Sequence, residues 1–136
     1  MAYLADICRG ERPHGIAGYS NGAAAAMLVA ALRESGDEAF QSVGVVMSFA
    51  GPTSETMRRH VRANLGPPRS RITIPAIMFG SRHDAMLAGA GEMAGDLFEQ
   101  YELAVQDERR PYANHALPDR IECYAPIVKF LSAQNV

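Results

Sequence analysis

The sequence has little of what marks the more specialised protein classes. Its 136 residues hold two cysteines, Cys8 and Cys123. They lie far apart and lack metal-ligand spacing, which argues against a disulfide framework and against a zinc site. No stretch collects lysine and arginine, and the net charge is −2. Nucleic acid and anionic membrane surfaces are therefore not suggested as partners. No apolar run approaches the roughly 18 residues of a membrane span. The opening MAYLADICRGERP has no basic start, apolar middle and small-residue cleavage site, so it does not read as a secretory signal. A reducing, cytoplasmic home is the expectation. No metal site and no cofactor are called for. Internal repeats, low-complexity tracts and linkers are missing as well. What is there is 48% apolar and 21% charged, the balance of a soluble globular protein. The length suits one domain, 1–136, small for an enzyme of the α/β class.

Hydrophobic patterning divides the chain into alternating elements. Residues 2–10 place Tyr3, Leu4 and Ile7 at helical spacing. HGIAGY (14–19) reads as a short strand, and 21–34 as an alanine-rich helix stopping near Gly36. SVGVVMSF (42–49) and TIPAIMFG (73–80) are near-continuous apolar runs, the pattern of strands covered on both faces. Between them a helix over about 55–65 starts after two N-cap candidates, Thr53 and Ser54. A helix is expected over 89–104, with Met93, Leu97, Phe98 and Tyr101, followed by a more polar edge strand, ERRPYA (108–113). Asp119 is expected to cap a last helix, 120–133, with Ile121, Tyr124, Ile127, Val128 and Leu131 facing inward. Strands alternating with helices imply α/β architecture, a three-layer α/β/α arrangement with about four parallel strands.

Where the first strand meets the alanine-rich helix the sequence reads G-Y-S-N-G, with Ser20 between Gly18 and Gly22. G-x-S-x-G alone is a modest signal that a small-residue turn could produce by composition. At a strand–helix seam it gains weight, because a tight turn there lifts the hydroxyl above the sheet and small flanks let strand and helix cross closely. The helix N-terminus also turns free N–H groups toward the site.

A serine hydroxyl needs a base. Of four histidines, His14 opens the strand at the end far from Ser20, and His60 falls among Arg58, Arg59 and Arg62 on a solvated face. His83 adjoins a carboxylate and points elsewhere on its loop. His115, in the loop after the last strand, shares the carboxyl edge of the sheet with Ser20 and is the chosen base. Asp84, four residues past Gly80 at the end of the third strand, is the acid that would orient it. The chain order Ser, Asp, His is that of α/β-hydrolases.

These stretches resemble one family. HGIAGYSNGAAAAMLVAAL is similar to the elbow DGVLGFSQGAALAALL of the FSH family of serine hydrolases, the family of the OVCA2-like esterases. IPAIMFGSRHDAML resembles that family's P-x-L-H-I-x-G-x-x-D-x-x-V acid loop, and NHALPD its G-G-H-x-x-P histidine loop. The resemblance implies a partial α/β-hydrolase fold. It further implies a cofactor-free esterase or thioesterase acting on a small acyl ester or thioester, with Ser20, Asp84 and His115 as triad. The amide of Asn21 is the oxyanion donor that can be assigned. The sequence departs from the family at Ala113-Asn114, where a glycine pair is usual, and at His14, where an acid is usual. The likeness covers the second half of a family member, and the four strands that precede the elbow helix there have no counterpart here. From this we expect weak activity, and an unpaired strand 14–19 that favours association of like chains. Two further readings stay open. One is a neighbouring family such as the acyl-protein thioesterases. The other is a catalytically silent domain kept for binding.

Overall fold

A computed structural model of the chain describes residues 1–67, 70–107 and 115–134. Among these the helices and strands are, in order, α1 (Ala2–Glu11), β1 (Gly15–Tyr19), α2 (Asn21–Glu34), β2 (Val45–Phe49), α3 (Glu55–Ala63), β3 (Ala76–Ser81), α4 (Ala90–Leu97), β4 (Tyr101–Gln106) and α5 (Ala125–Ala133). Single 3-10 turns occupy Glu38–Phe40, Ala85–Leu87 and Ile121–Tyr124.

The strands form one all-parallel sheet whose spatial order, β1-β2-β3-β4, repeats the chain order. When strands step in one direction and crossovers keep one hand, every intervening helix falls on the same face. The packing agrees. Cys8 of α1, Ala30 of α2, Val61 of α3 and Leu97 of α4 share a core with Val46, Ala76 and Met78. The opposite face presents Val45, Ile77, Phe79 and Ala104 to Ile127 and Phe130 of α5. Neighbouring residues of β2 and β3 thus point into different cores, which is why their sequences are apolar without interruption. The result is the expected partial three-layer α/β/α fold.

Helix α2 fits against the sheet because its buried stripe is small. Ala23, Ala26, Met27, Ala30 and Ala31 are buried at helical spacing. The helix ends where Gly36 takes a φ of 94°, the left-handed geometry that glycine accepts at no steric cost. At its last turn Glu34 is buried, and its Oε1 accepts from the amide of Thr73 at 3.1 Å and from the Thr73 hydroxyl at 2.7 Å. This joins α2 to the segment leading into β3.

Several elements differ from the sequence reading. The helix expected over 89–104 stops at Leu97, and Phe98 is already extended, with φ −118° and ψ 145°. The last strand is Tyr101–Gln106, and the strand expected at 108–113 lies outside the described residues. Met93, Leu97 and Tyr101 are spaced like a helix face, but Tyr101, Leu103 and Val105 also alternate like a strand. Pairing decides between them. Ile72 bridges Phe98, and Ala76 to Ser81 run in register with Tyr101 to Gln106.

At the C-terminus a 3-10 turn precedes α5, with Arg120 at its N-cap position in place of the expected Asp119. Ile121 and Val128 are exposed, while Ile127 and Phe130 carry the buried face. Tyr124 and Leu131 also pack against that core, so of the five residues expected to face inward Tyr124, Ile127 and Leu131 do so. In α1, Cys8 is buried while Tyr3 and Ile7 are exposed. Ser54, rather than Thr53, caps α3, accepting from the Met57 amide at 3.3 Å. Strand β1 lies at the edge of the sheet, with Ala17 and Tyr19 exposed.

Candidate active site

Ser20 is placed by the end of β1 and the start of α2. Its backbone takes φ 55° and ψ −122°, a combination few non-glycine residues adopt. Its amide donates to the carbonyl of Phe49 on β2 at 2.9 Å, so the strained residue is still tied to the sheet. The turn is tight on one side only. A Cβ at Gly18 would stand 2.0 Å from the Gly22 carbonyl oxygen and 2.5 Å from the Ala23 nitrogen. A Cβ at Gly22 would meet nothing within 4 Å. Gly18 therefore supplies the close crossing, and the expectation that Gly22 shares that demand is corrected. Its backbone is what Gly18 touches, and its own side is open.

Asp84 follows β3 by three residues and caps the 3-10 turn Ala85–Leu87. Its Oδ1 accepts from the Met86 amide at 2.9 Å, which fixes the carboxylate and leaves Oδ2 for another partner. The residue is buried, with 6% of its surface exposed. That partner is His115, whose Nδ1 lies 2.6 Å from Oδ2. On the far side of the ring, His115 Nε2 lies 2.9 Å from Ser20 Oγ. An ionised carboxylate can only accept, which puts the proton on Nδ1 and leaves the Nε2 lone pair facing the hydroxyl.

The structure thus brings together Ser20, Asp84 and His115 from the ends of β1 and β3 and from the segment after β4. The family model described as Serine hydrolase (FSH1) matches residues 1–120, a span that contains all three. The chain belongs to the FSH1 serine hydrolase family. No curated protein and no solved structure matches it significantly.

In this FSH1-family chain the remaining histidines lie where the sequence reading put them. His14 precedes β1, and its carbonyl accepts from the Gly44 amide at 2.8 Å, at the opposite end of the strands from Ser20. His60 is exposed on α3. His83 Nε2 lies 3.5 Å from Asp107 Oδ1, and its amide donates to Ser81 Oγ at 3.2 Å. Both cysteines are free thiols, and burial pushes the Cys8 thiol pKa up. No helix among the described residues is long and apolar enough to cross a membrane.

Two residues near the cluster, Tyr19 and Thr53, have contacts there that the sequence did not suggest. Tyr19 donates its phenol hydrogen to the carbonyl of His115 at 2.9 Å. The Thr53 hydroxyl lies 2.9 Å from the Met86 carbonyl and within bonding reach of the Ala88 carbonyl, so the loop after β2 is tied to the loop that holds Asp84. Beside that tie, Pro52, Thr53, Ser54, Ala85 and Met86 line an open groove of about 280 Å³. No periodicity or motif marks contacts made across such separations. Only the position of Tyr19 next to Ser20 could have drawn notice.

Proposed function

We propose that the chain hydrolyses carboxylic esters or thioesters through an acyl-enzyme on Ser20. What carries this reading is the unbroken path from Ser20 Oγ to His115 Nε2, 2.9 Å, and from His115 Nδ1 to Asp84 Oδ2, 2.6 Å. Ser20 Oγ attacks the carbonyl carbon as its proton passes to Nε2, and Asp84 stabilises the imidazolium that forms. The carbonyl π-pair moves onto oxygen. That oxyanion is met by the amide of Asn21, which as the first residue of α2 has no acceptor within its own helix. Collapse expels the alcohol or thiol, protonated by Nε2, and a water then repeats the sequence to release the acid. The groove beside Asp84, with Pro52, Ala85 and Met86, would seat apolar parts of the acyl group. Two free thiols suit a reducing compartment such as the cytoplasm.

Labelling by a fluorophosphonate, with hydrolysis of p-nitrophenyl esters alongside, tests the reading. Wild type should be labelled on Ser20 and turn over ester, and Ser20→Ala should do neither while melting cooperatively. Turnover by the alanine variant at the wild-type rate would remove Ser20 from the mechanism.

One observation favours a second reading, a weakly active or silent module that associates with its own kind. Strand β1 is an edge with exposed Ala17 and Tyr19, and it contains neither proline nor charge to blunt it. Under that reading sedimentation shows dimers or larger species at micromolar concentration, with slow turnover, whereas a stable monomer with robust turnover refutes it.

A further inference from the structure

The phenol of Tyr19 is attached to the histidine on which the proposed chemistry depends. It reaches the main-chain carbonyl of a residue 96 positions later in the chain, at 2.9 Å. Its ring centroid lies 5.3 Å from that of the His115 imidazole, with the planes inclined by 35°. The backbone of Tyr19 is in turn fixed by its register with Phe49, one residue before the strained Ser20. The residue preceding the hydroxyl thus grips the main chain of the base and lies against its ring.

Each contact has a separate consequence. The imidazole is bonded at Nδ1 to Asp84 and at Nε2 to Ser20, but both bonds act on the ring and neither fixes the main chain that carries it. A bond to the backbone carbonyl fixes the point from which the side chain springs. Nε2 must approach Ser20 Oγ within about 3 Å and in line, and small misplacements of reacting groups cost rate steeply. The ring contact acts later. An aromatic face within about 6 Å attracts a cation far more than a neutral ring. His115 becomes cationic only as its proton is taken up, so the attraction strengthens on the way to the transition state.

We propose that Tyr19 is a positioning residue for His115, its hydroxyl setting the line of proton transfer to Nε2 and its ring stabilising the imidazolium. The proposal rests on the esterase reading above. Tyr19→Phe removes the hydroxyl and keeps the ring, and Tyr19→Leu removes both. Because Tyr19 is 43% exposed, neither change should threaten the fold.

With p-nitrophenyl butyrate, Tyr19→Phe should lower kcat about tenfold with KM little changed. Tyr19→Leu should lower kcat by a further two- to fivefold or so. The rate of fluorophosphonate labelling at Ser20 should fall in step with kcat, since labelling also needs Nε2. A Tyr19→Phe variant with wild-type kcat, or one whose loss lies wholly in KM, overturns the proposal. Ser20→Ala separates the two levels. If it is inactive while Tyr19→Phe matches wild type, the role of Tyr19 fails alone. If it stays active, the esterase reading falls and takes this role with it.

Discussion

The region from β1 to β3 and the segment beyond β4 feed one cluster by different physical means. In the first, each side chain is fixed by its own neighbours. Ser20 is lifted by the crossing of β1 and α2 at Gly18, and the Asp84 carboxylate is set by the amide of Met86, two residues on. In the second, His115 depends on distant parts of the chain. Its described hydrogen bonds run to Tyr19 and Ser20, 96 and 95 residues away, and to Asp84, 31 residues away. Local geometry can be built by a few residues of the right size. A remote side chain has to be held by bonds that form only once the sheet is assembled.

The largest effects should come from breaking the link between the two regions. Asp84→Asn keeps the cap on the Ala85–Leu87 turn, because the amide oxygen still accepts from Met86. Opposite Nδ1, however, it can offer an N–H, which favours the wrong imidazole tautomer. Turnover should fall by up to about four orders of magnitude with little change in thermal stability. His115→Ala should fall comparably. Ester hydrolysis near the wild-type rate in either variant would disconnect the cluster from the chemistry.

The same contrast explains what could be read in advance. The strand–helix seam at Ser20 and the apolar runs of β2 and β3 are local patterns, and they were legible. The helix starting near 89 was legible too, but its end at Leu97 and the strand Tyr101–Gln106 were not. The residues on either side of that boundary satisfy a helical and a strand period together, and the choice is made by parallel register with β3, from Ala76 opposite Tyr101 to Ser81 opposite Gln106. On the last helix the inward placing of Tyr124, Ile127 and Leu131 was legible, while Ile121 on the 3-10 turn and Val128 are exposed. His115 could be placed at the carboxyl edge of the sheet by topology, but its tie to Tyr19 is a tertiary contact without any sequence period.

Within the local region, two glycines two residues either side of Ser20 should behave oppositely. At Gly18 a methyl group would be driven into the backbone of Gly22 and Ala23, atoms that cannot rotate away. Gly18→Ala should cost about 3 kcal/mol or more, at or beyond the usual range for overpacking, and should disturb the Ser20 turn. At Gly22 a methyl group enters open space on α2. Gly22→Ala should raise stability by about 0.5–1 kcal/mol through reduced chain entropy. Equal denaturation midpoints for the two variants would contradict the one-sided geometry of the turn.

Glu34 offers a pH test of how α2 is tied to the strand region. Burial pushes its carboxyl pKa up, but the hydroxyl and amide of Thr73 and the Arg33 guanidinium outweigh this and hold it below the ordinary value. The folded protein therefore binds this proton less readily than the unfolded chain. Its contribution to stability is complete above the ordinary glutamate pKa of about 4.3 and is lost as pH falls through the lower folded value. Glu34→Gln should cost about 1–3 kcal/mol at neutral pH and should flatten this part of the acid limb. An unfolding free energy that loses stability with acid as steeply in Glu34→Gln as in wild type would assign the acid limb to other carboxylates.

The smallest expected effect sharpens the comparison from the other side. His83 adjoins Asp84 in sequence, so proximity along the chain alone would make it a rival base. Its imidazole instead lies 3.5 Å from Asp107 Oδ1, just beyond the end of β4, and its amide is bound to Ser81 Oγ. The carboxylate next to it is already occupied, Oδ1 by the Met86 amide and Oδ2 by His115 Nδ1. His83→Ala removes an exposed contact with Asp107 and nothing that touches Ser20. Turnover should stay within about twofold of wild type, the range of ordinary surface substitutions. A loss as deep as that of His115→Ala would mean that the base is the histidine beside the acid rather than the one carried in from beyond β4.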